Sequence, residues 1–127
     1  MTIIIDGDTF NVPFISLTRT ADPLDKYAER VETGRLEREL IGIYFNYKMT
    51  FGAPTTSTEL TAYQALWARI TEAKEFHTVI VPDELGDYEF EAYFASMGDE
   101  LRRTKNGTNF WKGLTCHMIA RSPAIVP

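Results

Sequence analysis

Cysteine and long apolar runs are scarce in this sequence, and each shortage excludes a class of protein. The single cysteine, Cys116, cannot form an intrachain disulfide, so nothing points to an oxidising compartment. The opening apolar run, residues 3–5, is too short for a signal peptide. No run approaches the roughly 20 apolar residues of a membrane span. We therefore expect no signal peptide and no membrane partner.

Positive charge is also in short supply, with 13 Lys and Arg against 18 Asp and Glu and a net charge of −5. Binding to nucleic acid normally needs a basic surface, so we expect no sequence-specific nucleic-acid partner. An acidic surface would let a polyanion slide past, and Glu89 and Glu91 are candidates to line such a path. The length and an apolar content of 44% predict one globular domain over residues 1–127.

The clearest pattern in the chain is the alternation between Leu40 and Phe51. Apolar side chains occupy every second position, which is typical of a β-strand with one buried face: Ile41, Ile43, Phe45, Tyr47, Met49 and Phe51. At about 3.3 Å per residue, this strand would span roughly 40 Å and cross a small domain or reach a neighbour.

Before this strand, the residues indicate short strands and one long charged segment. Residues 2–5 and 9–12 flank Asp6-Gly7-Asp8, which predicts a small hairpin, and Phe14 to Leu17 predicts another strand. Residues 18–39 are dominated by charge and predict a loop or a two-stranded arm. A helix from Asp25 to Val31 is the alternative, because apolar residues there have helical spacing.

After the central strand, an amphipathic helix is predicted from about Thr58 to Thr71, capped by Ser57 or Thr58. Its apolar stripe should pack on a sheet: Leu60, Tyr63, Leu66, Trp67 and Ile70. If the whole stripe is core, Trp67→Ala should destabilise the protein by about 3–5 kcal/mol.

The remaining residues predict a meander of four strands. These are residues 76–81, 88–97, 100–104 and 110–120, with Asn106-Gly107 as the turn of the last hairpin. Strands without βαβ alternation, together with one helix, indicate an α+β fold. We expect an antiparallel β-sheet or sandwich with one amphipathic helix packed on it.

Few residues suggest chemistry. His77 and His117 could become cross-strand neighbours and bind a metal with a carboxylate, but no ligand spacing within an element supports this. Glu89 and Glu91 share a strand face, which more often marks a solvated surface than an acid–base pair. Cys116 is expected in the core. We therefore predict no catalytic, cofactor-binding or metal-binding residue and no enzyme activity.

Aromatic and charged side chains instead mark candidate contact surfaces with other proteins. The alternative is that the aromatic residues cover a second layer of the same domain. The candidate interface residues are Tyr27, Arg30, Tyr44, Tyr93 and Trp111.

Three segments, residues 24–52, 63–83 and 106–124, together resemble small uncharacterised proteins of phage and prophage tail or morphogenesis modules in Gram-positive bacteria. They include LERELIGIYFNYKMTFG, YQALWARITEAKEFHTVIVPD and NGTNFWKGLTCHMIARSPA. More loosely, a β-sandwich with one helix is similar to the fold group of phage tail-tube and tail-terminator proteins.

This resemblance implies a virion structural or assembly protein that is assembled in the bacterial host cytoplasm and has no cofactor. Its partners would be copies of itself, in a ring or another homo-oligomer, and other tail proteins. Two alternatives remain at this point. The chain could be a monomeric adaptor or chaperone of phage morphogenesis, or a small enzyme using the histidines or the strand carboxylates.

Overall fold

The computed structural model describes residues 2–127. They form one antiparallel sheet and one helix, joined by turns and loops. In sequence order the elements are β1 (Ile4–Ile5), β2 (Asp8–Thr9), β3 (Phe14–Arg30), β4 (Leu36–Phe51), α1 (Ser57–Ile70), β5 (His77–Asp83), β6 (Gly86–Lys105) and β7 (Thr108–Ala120). The strand order across the sheet is β2-β1-β5-β6-β7-β4-β3. The predicted α+β class with a single helix is confirmed.

The sheet curls, so that strands that are not neighbours in the strand order come into contact. Tyr47 of β4 packs against Phe90 of β6, with ring centroids 5.3 Å apart. Arg19 of β3 donates hydrogen bonds to Asp83 and Glu84, at the turn that joins β5 to β6. These contacts give the sheet two facing layers around one apolar core.

The helix α1 lies against this core through three buried side chains, Tyr63, Leu66 and Ile70. It begins one residue earlier than predicted, and its N-cap is Thr56 instead of Ser57 or Thr58. Thr56 forms a capping box with Glu59, which satisfies two backbone N–H groups at the start of the helix. The prediction that the whole apolar stripe is core was wrong at Trp67, which is 36% exposed.

The alternation in the central strand buries side chains only in its second half. Tyr47, Met49 and Phe51 are buried, whereas Ile41 is 44% exposed. The reason is that β4 pairs with β7 only over Tyr47–Thr50, opposite residues 115–118. Before this stretch, β4 pairs with β3 and runs beyond the body of the sheet.

The segment 18–39 forms a two-stranded arm, and the alternative helix from Asp25 to Val31 was wrong. Here β3 pairs with β4 in antiparallel register from Phe14↔Phe51 to Arg30↔Leu36. Cross-strand pairing satisfies the backbone polar groups that a helix would have paired locally. Pro23 is tolerated because β3 is an edge strand.

The C-terminal residues fasten the base of this arm. The Ile43 amide donates to the Ile125 carbonyl over 2.8 Å, and the Ala124 amide donates to the Ile43 carbonyl over 2.9 Å. Gly42 permits this close approach, because a Cβ there would lie 2.6 Å from the Pro123 Cβ. Beyond this contact, β3 and β4 pair only with each other within the described residues, from Asp25↔Leu40 to Arg30↔Leu36.

The two tight hairpins predicted from Gly-containing turns are present. Asp6 and Gly7 have φ values of 51° and 85°, and Asn106 and Gly107 have values of 51° and 76°. The meander, however, has three strands instead of four. The predicted strands 88–97 and 100–104 are parts of β6, whose pairing with β7 is irregular near Ser96, where φ is 54°, and again between Leu101 and Arg103.

Candidate functional site

The first candidate surface is the free part of the β3–β4 hairpin, residues 22–39, which we call the acidic arm. All its residues are exposed except Asp25 and Glu37, which are half-buried. It carries six carboxylates and four basic side chains. Glu29 stands directly opposite Glu37 in the strand register, an unfavourable pairing of like charges that only Arg35 relieves.

The acidic arm also exposes apolar side chains that are not part of the core cluster. They are Leu24, Tyr27, Val31 and Leu36, each between 40% and 49% exposed. A solvated loop has no need of such residues, and apolar groups gathered on a projecting element commonly mark a contact surface.

The second candidate surface is the distal part of the β6–β7 hairpin, residues 100–112, which we call the basic arm. Only Phe110 and Lys112 are half-buried there, and the other residues are exposed. It holds four basic side chains and one carboxylate, Glu100. Leu101 and Trp111 are 45% and 42% exposed. The basic arm thus combines excess positive charge with apolar surface.

The four cations of the basic arm differ from most of those in the body of the protein. Arg19, Arg69, Lys74 and Arg121 each lie within 4.0 Å of a carboxylate oxygen. Over residues 2–127, by contrast, no ion pair involves any cation of the basic arm, namely Arg102, Arg103, Lys105 and Lys112. Arg103 instead lies over the Phe110 ring, 5.1 Å from its centroid.

The two arms leave the sheet from opposite ends. Because β4 and β7 are antiparallel and pair only over four residues, β4 continues as the acidic arm past the C-terminal end of β7. The basic arm precedes this pairing along β7 and therefore extends in the other direction. The arms of one chain cannot meet each other.

A groove of about 560 Å³ separates the basic arm from α1. Both tryptophans of the chain line it, Trp67 from the helix and Trp111 from β7. Asp99 lies in the groove as well and accepts a hydrogen bond from the Tyr63 hydroxyl over 3.1 Å. The incomplete burial of Trp67 follows from its position in this open groove.

The candidate interface residues lie in different places. Tyr27 and Arg30 are on the acidic arm, where Arg30 donates to the Gly34 carbonyl over 2.9 Å. Trp111 is on the basic arm, and Tyr93 is 44% exposed on β6. Tyr44 is half-buried and packs against the core, so it offers less free surface than the other four.

A polar cluster that sequence reasoning missed joins the first hairpin to β5 and α1. His77 is buried, and its Nδ1 lies 2.6 Å from Asp6 Oδ2. An ionised carboxylate only accepts hydrogen bonds, so Nδ1 is the donor. The Thr78 amide donates to Asp6 over 2.9 Å, and Arg69 donates to Asp8 over 2.7 Å. The cluster holds the hairpin in place.

The residues considered for chemistry are not brought together. The side chain of His77 lies on the core face of the sheet, whereas His117 alternates with the buried residues of β7 and faces the other way. Glu91 forms an ion pair with Arg121 over 2.9 Å, so Glu91 and Glu89 do not act together as an acid–base pair. Cys116 is fully buried, and burial raises the pKa of its thiol to about 12.

Within residues 2–127, no group of three or more His, Cys, Asp or Glu side chains is arranged to hold a metal ion. The described part of the chain also contains no helix long and apolar enough to cross a membrane.

Comparison with known proteins gives a likeness to solved structures. No protein-family model matches the chain, and no curated protein matches it. Among solved structures, a chain in the tail of an empty GTA particle, obtained with helical refinement in C6 symmetry, is 13% identical. The alignment covers 94% of this chain and 86% of that one, with a TM-score of 0.46.

Proposed function

We propose that this protein is a phage or prophage tail-associated structural protein that works by binding other copies of itself and other tail proteins, without catalysis. The observation that carries the proposal is the pair of projecting arms, which expose apolar side chains and charge and lie outside the core cluster of their own chain. The tail module is suggested by the resemblance of residues 24–52, 63–83 and 106–124 to proteins of such modules.

The open edge of β3 supports an assembly role. This strand has 17 residues and forms one outer edge of the sheet. Proteins that stay monomeric usually shorten, cover or bulge such edges, because unpaired backbone groups recruit other chains. Here β3 has register shifts between Phe14 and Ser16 and on either side of Asp25, and the stretch between them, residues 16–24, pairs with β4 without interruption.

The positions of the side chains that could take part in catalysis support a function without catalysis. The two histidines point to opposite faces, and the only thiol is buried and protonated at neutral pH. His77 lies 2.6 Å from the Asp6 carboxylate, but His77 is buried and this pair belongs to the polar cluster that holds the first hairpin in place. The proposal therefore assigns the function to surfaces.

Self-association can be tested by size-exclusion chromatography with light scattering over a wide range of protein concentration. We expect the mass to rise from that of a monomer, 14.5 kDa, to that of a defined oligomer. A mass that stays at the monomer value at every concentration would contradict self-assembly. It would favour the monomeric adaptor of phage morphogenesis.

A further inference from the structure

We infer that the acidic arm of one copy docks on the basic arm of the next, so that the protein assembles head to tail. This inference rests on the proposed function and names the two surfaces through which copies meet. The partner is a second copy of this chain, identified by charge and apolar surface that match between the arms.

The charges of the two arms are complementary. Residues 22–39 hold two more carboxylates than cations, and residues 100–112 hold three more cations than carboxylates. Within the acidic arm, only Asp25 and Glu37 pair with arginine, and Glu29, Glu32 and Glu39 have no ion-pair partner in the described structure. Lys26 and Arg30 of the acidic arm likewise have no carboxylate partner in the described structure, so it is the excess charge of each arm that is of opposite sign.

Apolar groups accompany these charges on both arms. Tyr27 and Leu36 of the acidic arm are 49% and 48% exposed, and Leu101 and Trp111 of the basic arm are 45% and 42% exposed. Contact between the arms would remove this apolar surface from water, while the charges steer the encounter and set its register. A DNA duplex bound through its phosphates would satisfy the cations alone and would leave the apolar groups exposed.

The position of the arms determines the type of contact. Since they leave opposite ends of the sheet, the acidic arm of a chain cannot reach its own basic arm. The contact is therefore heterologous, and each copy that binds one neighbour still presents a free arm to another. Such contacts produce a closed ring or an open filament, depending on the rotation between copies.

The test uses two charge-reversed full-length chains. In the first, Glu29→Lys and Glu39→Lys reverse the acidic arm. In the second, Arg102→Glu and Lys105→Glu reverse the basic arm, and Arg103 is left over Phe110. Both sets of positions are exposed and outside the core. A control with Glu75→Lys and Glu89→Lys makes the same charge change as the first chain on exposed residues outside the arms.

Analytical ultracentrifugation should show that each reversed chain alone loses at least about 100-fold in association, because like charges then face each other. The control should associate as the wild type does. An equimolar mixture of the two reversed chains should recover assembly, because each acidic surface again finds a basic one. Every variant should have the circular dichroism spectrum of the wild type, which would show that it is folded.

Four outcomes would overturn the inference. Reversed chains that assemble like the wild type would place the interface elsewhere, although the proposed function would stand. Two reversed chains that fail alone and also fail when mixed would show that the arms do not face each other. The wild type could instead stay monomeric and bind a labelled DNA duplex, measured as a rise in fluorescence anisotropy. If Arg102→Glu and Lys105→Glu abolish that rise, the basic arm binds nucleic acid and not a second copy. A wild type that never associates removes the proposed self-assembly itself.

Discussion

At the scale of single residues, polar contacts serve to hold the ends of the chain to the sheet. Asp6 accepts hydrogen bonds from His77 and Thr78, and Lys74 lies 3.6 Å away. Arg69 reaches the same hairpin and donates to the Ile5 carbonyl over 3.0 Å. These contacts link residues about seventy positions apart, so they stabilise the tertiary fold and not a local element.

The Asp6 carboxylate should make stability depend on pH in the acid range. Burial raises its pKa, but hydrogen bonds from His77 and Thr78 and the charges of His77 and Lys74 outweigh burial, so its pKa is below the ordinary value. A carboxyl with a depressed folded-state pKa stabilises the fold above its unfolded pKa of about 3.9. That contribution is lost as the pH falls through the folded-state pKa. We expect Asp6→Asn to lose about 1–3 kcal/mol at pH 7.

Urea denaturation at several pH values checks this expectation. Between about pH 5 and pH 3 the wild-type midpoint should fall more steeply than that of Asp6→Asn. Asp87→Asn is the control, because Asp87 is exposed and forms no ion pair in the described structure. If the urea midpoints of the wild type and Asp6→Asn fall with pH at the same rate, this carboxylate contributes nothing to the loss of stability in acid.

At the scale of elements, the helix α1 has two different faces, one toward the core and one toward the groove. Leu66 is completely buried beside Ile5 and Phe51, whereas its neighbour Trp67 borders the groove. The capping box of Thr56 and Glu59 fixes where the helix begins and therefore which side chains face inward. The same helix thus stabilises the sheet and forms one wall beside the basic arm.

Truncation of these two neighbouring residues should separate the two faces. Leu66→Ala leaves a cavity in the core and should cost about 2–5 kcal/mol. Trp67→Ala removes a partly exposed side chain and should cost only about 1 kcal/mol. Guanidinium denaturation monitored by circular dichroism measures both. A larger loss for Trp67→Ala than for Leu66→Ala would mean that the tryptophan belongs to the core after all.

At the scale of the whole molecule, a body with a buried core carries two arms that bury few side chains. The body holds the polar cluster, the core and the C-terminal contact at Gly42. Each arm is a ribbon of two strands whose side chains are mostly exposed. Elements with few buried apolar contacts open at low free energy, so the arms should be the least stable part of an isolated chain.

Hydrogen exchange followed by mass spectrometry tests this difference. In dilute monomer, peptides from residues 22–39 and 100–112 should exchange faster than peptides from β5. In concentrated, associated protein both arms should gain protection, because their backbone and side chains are then covered. Protection that appears only in the body, with both arms still exchanging rapidly, would contradict contact through the arms.

Local chemistry by itself determined several features of this protein. The Asn106-Gly107 turn, the amphipathic helix and the alternating strands follow from backbone preferences and side-chain spacing within a few residues. These features were predicted correctly because the interactions that create them are short in sequence.

Only the tertiary structure decided the rest. Whether residues 18–39 form a loop or an arm depends on pairing with β4, and Trp67 is exposed because the basic arm leaves a groove beside it. The Asp6–His77 contact and the opposite directions of the two arms join or separate residues distant in the chain. The physical reason is that burial, charge pairing and strand register depend on which segments meet in space, and composition and spacing do not specify those meetings.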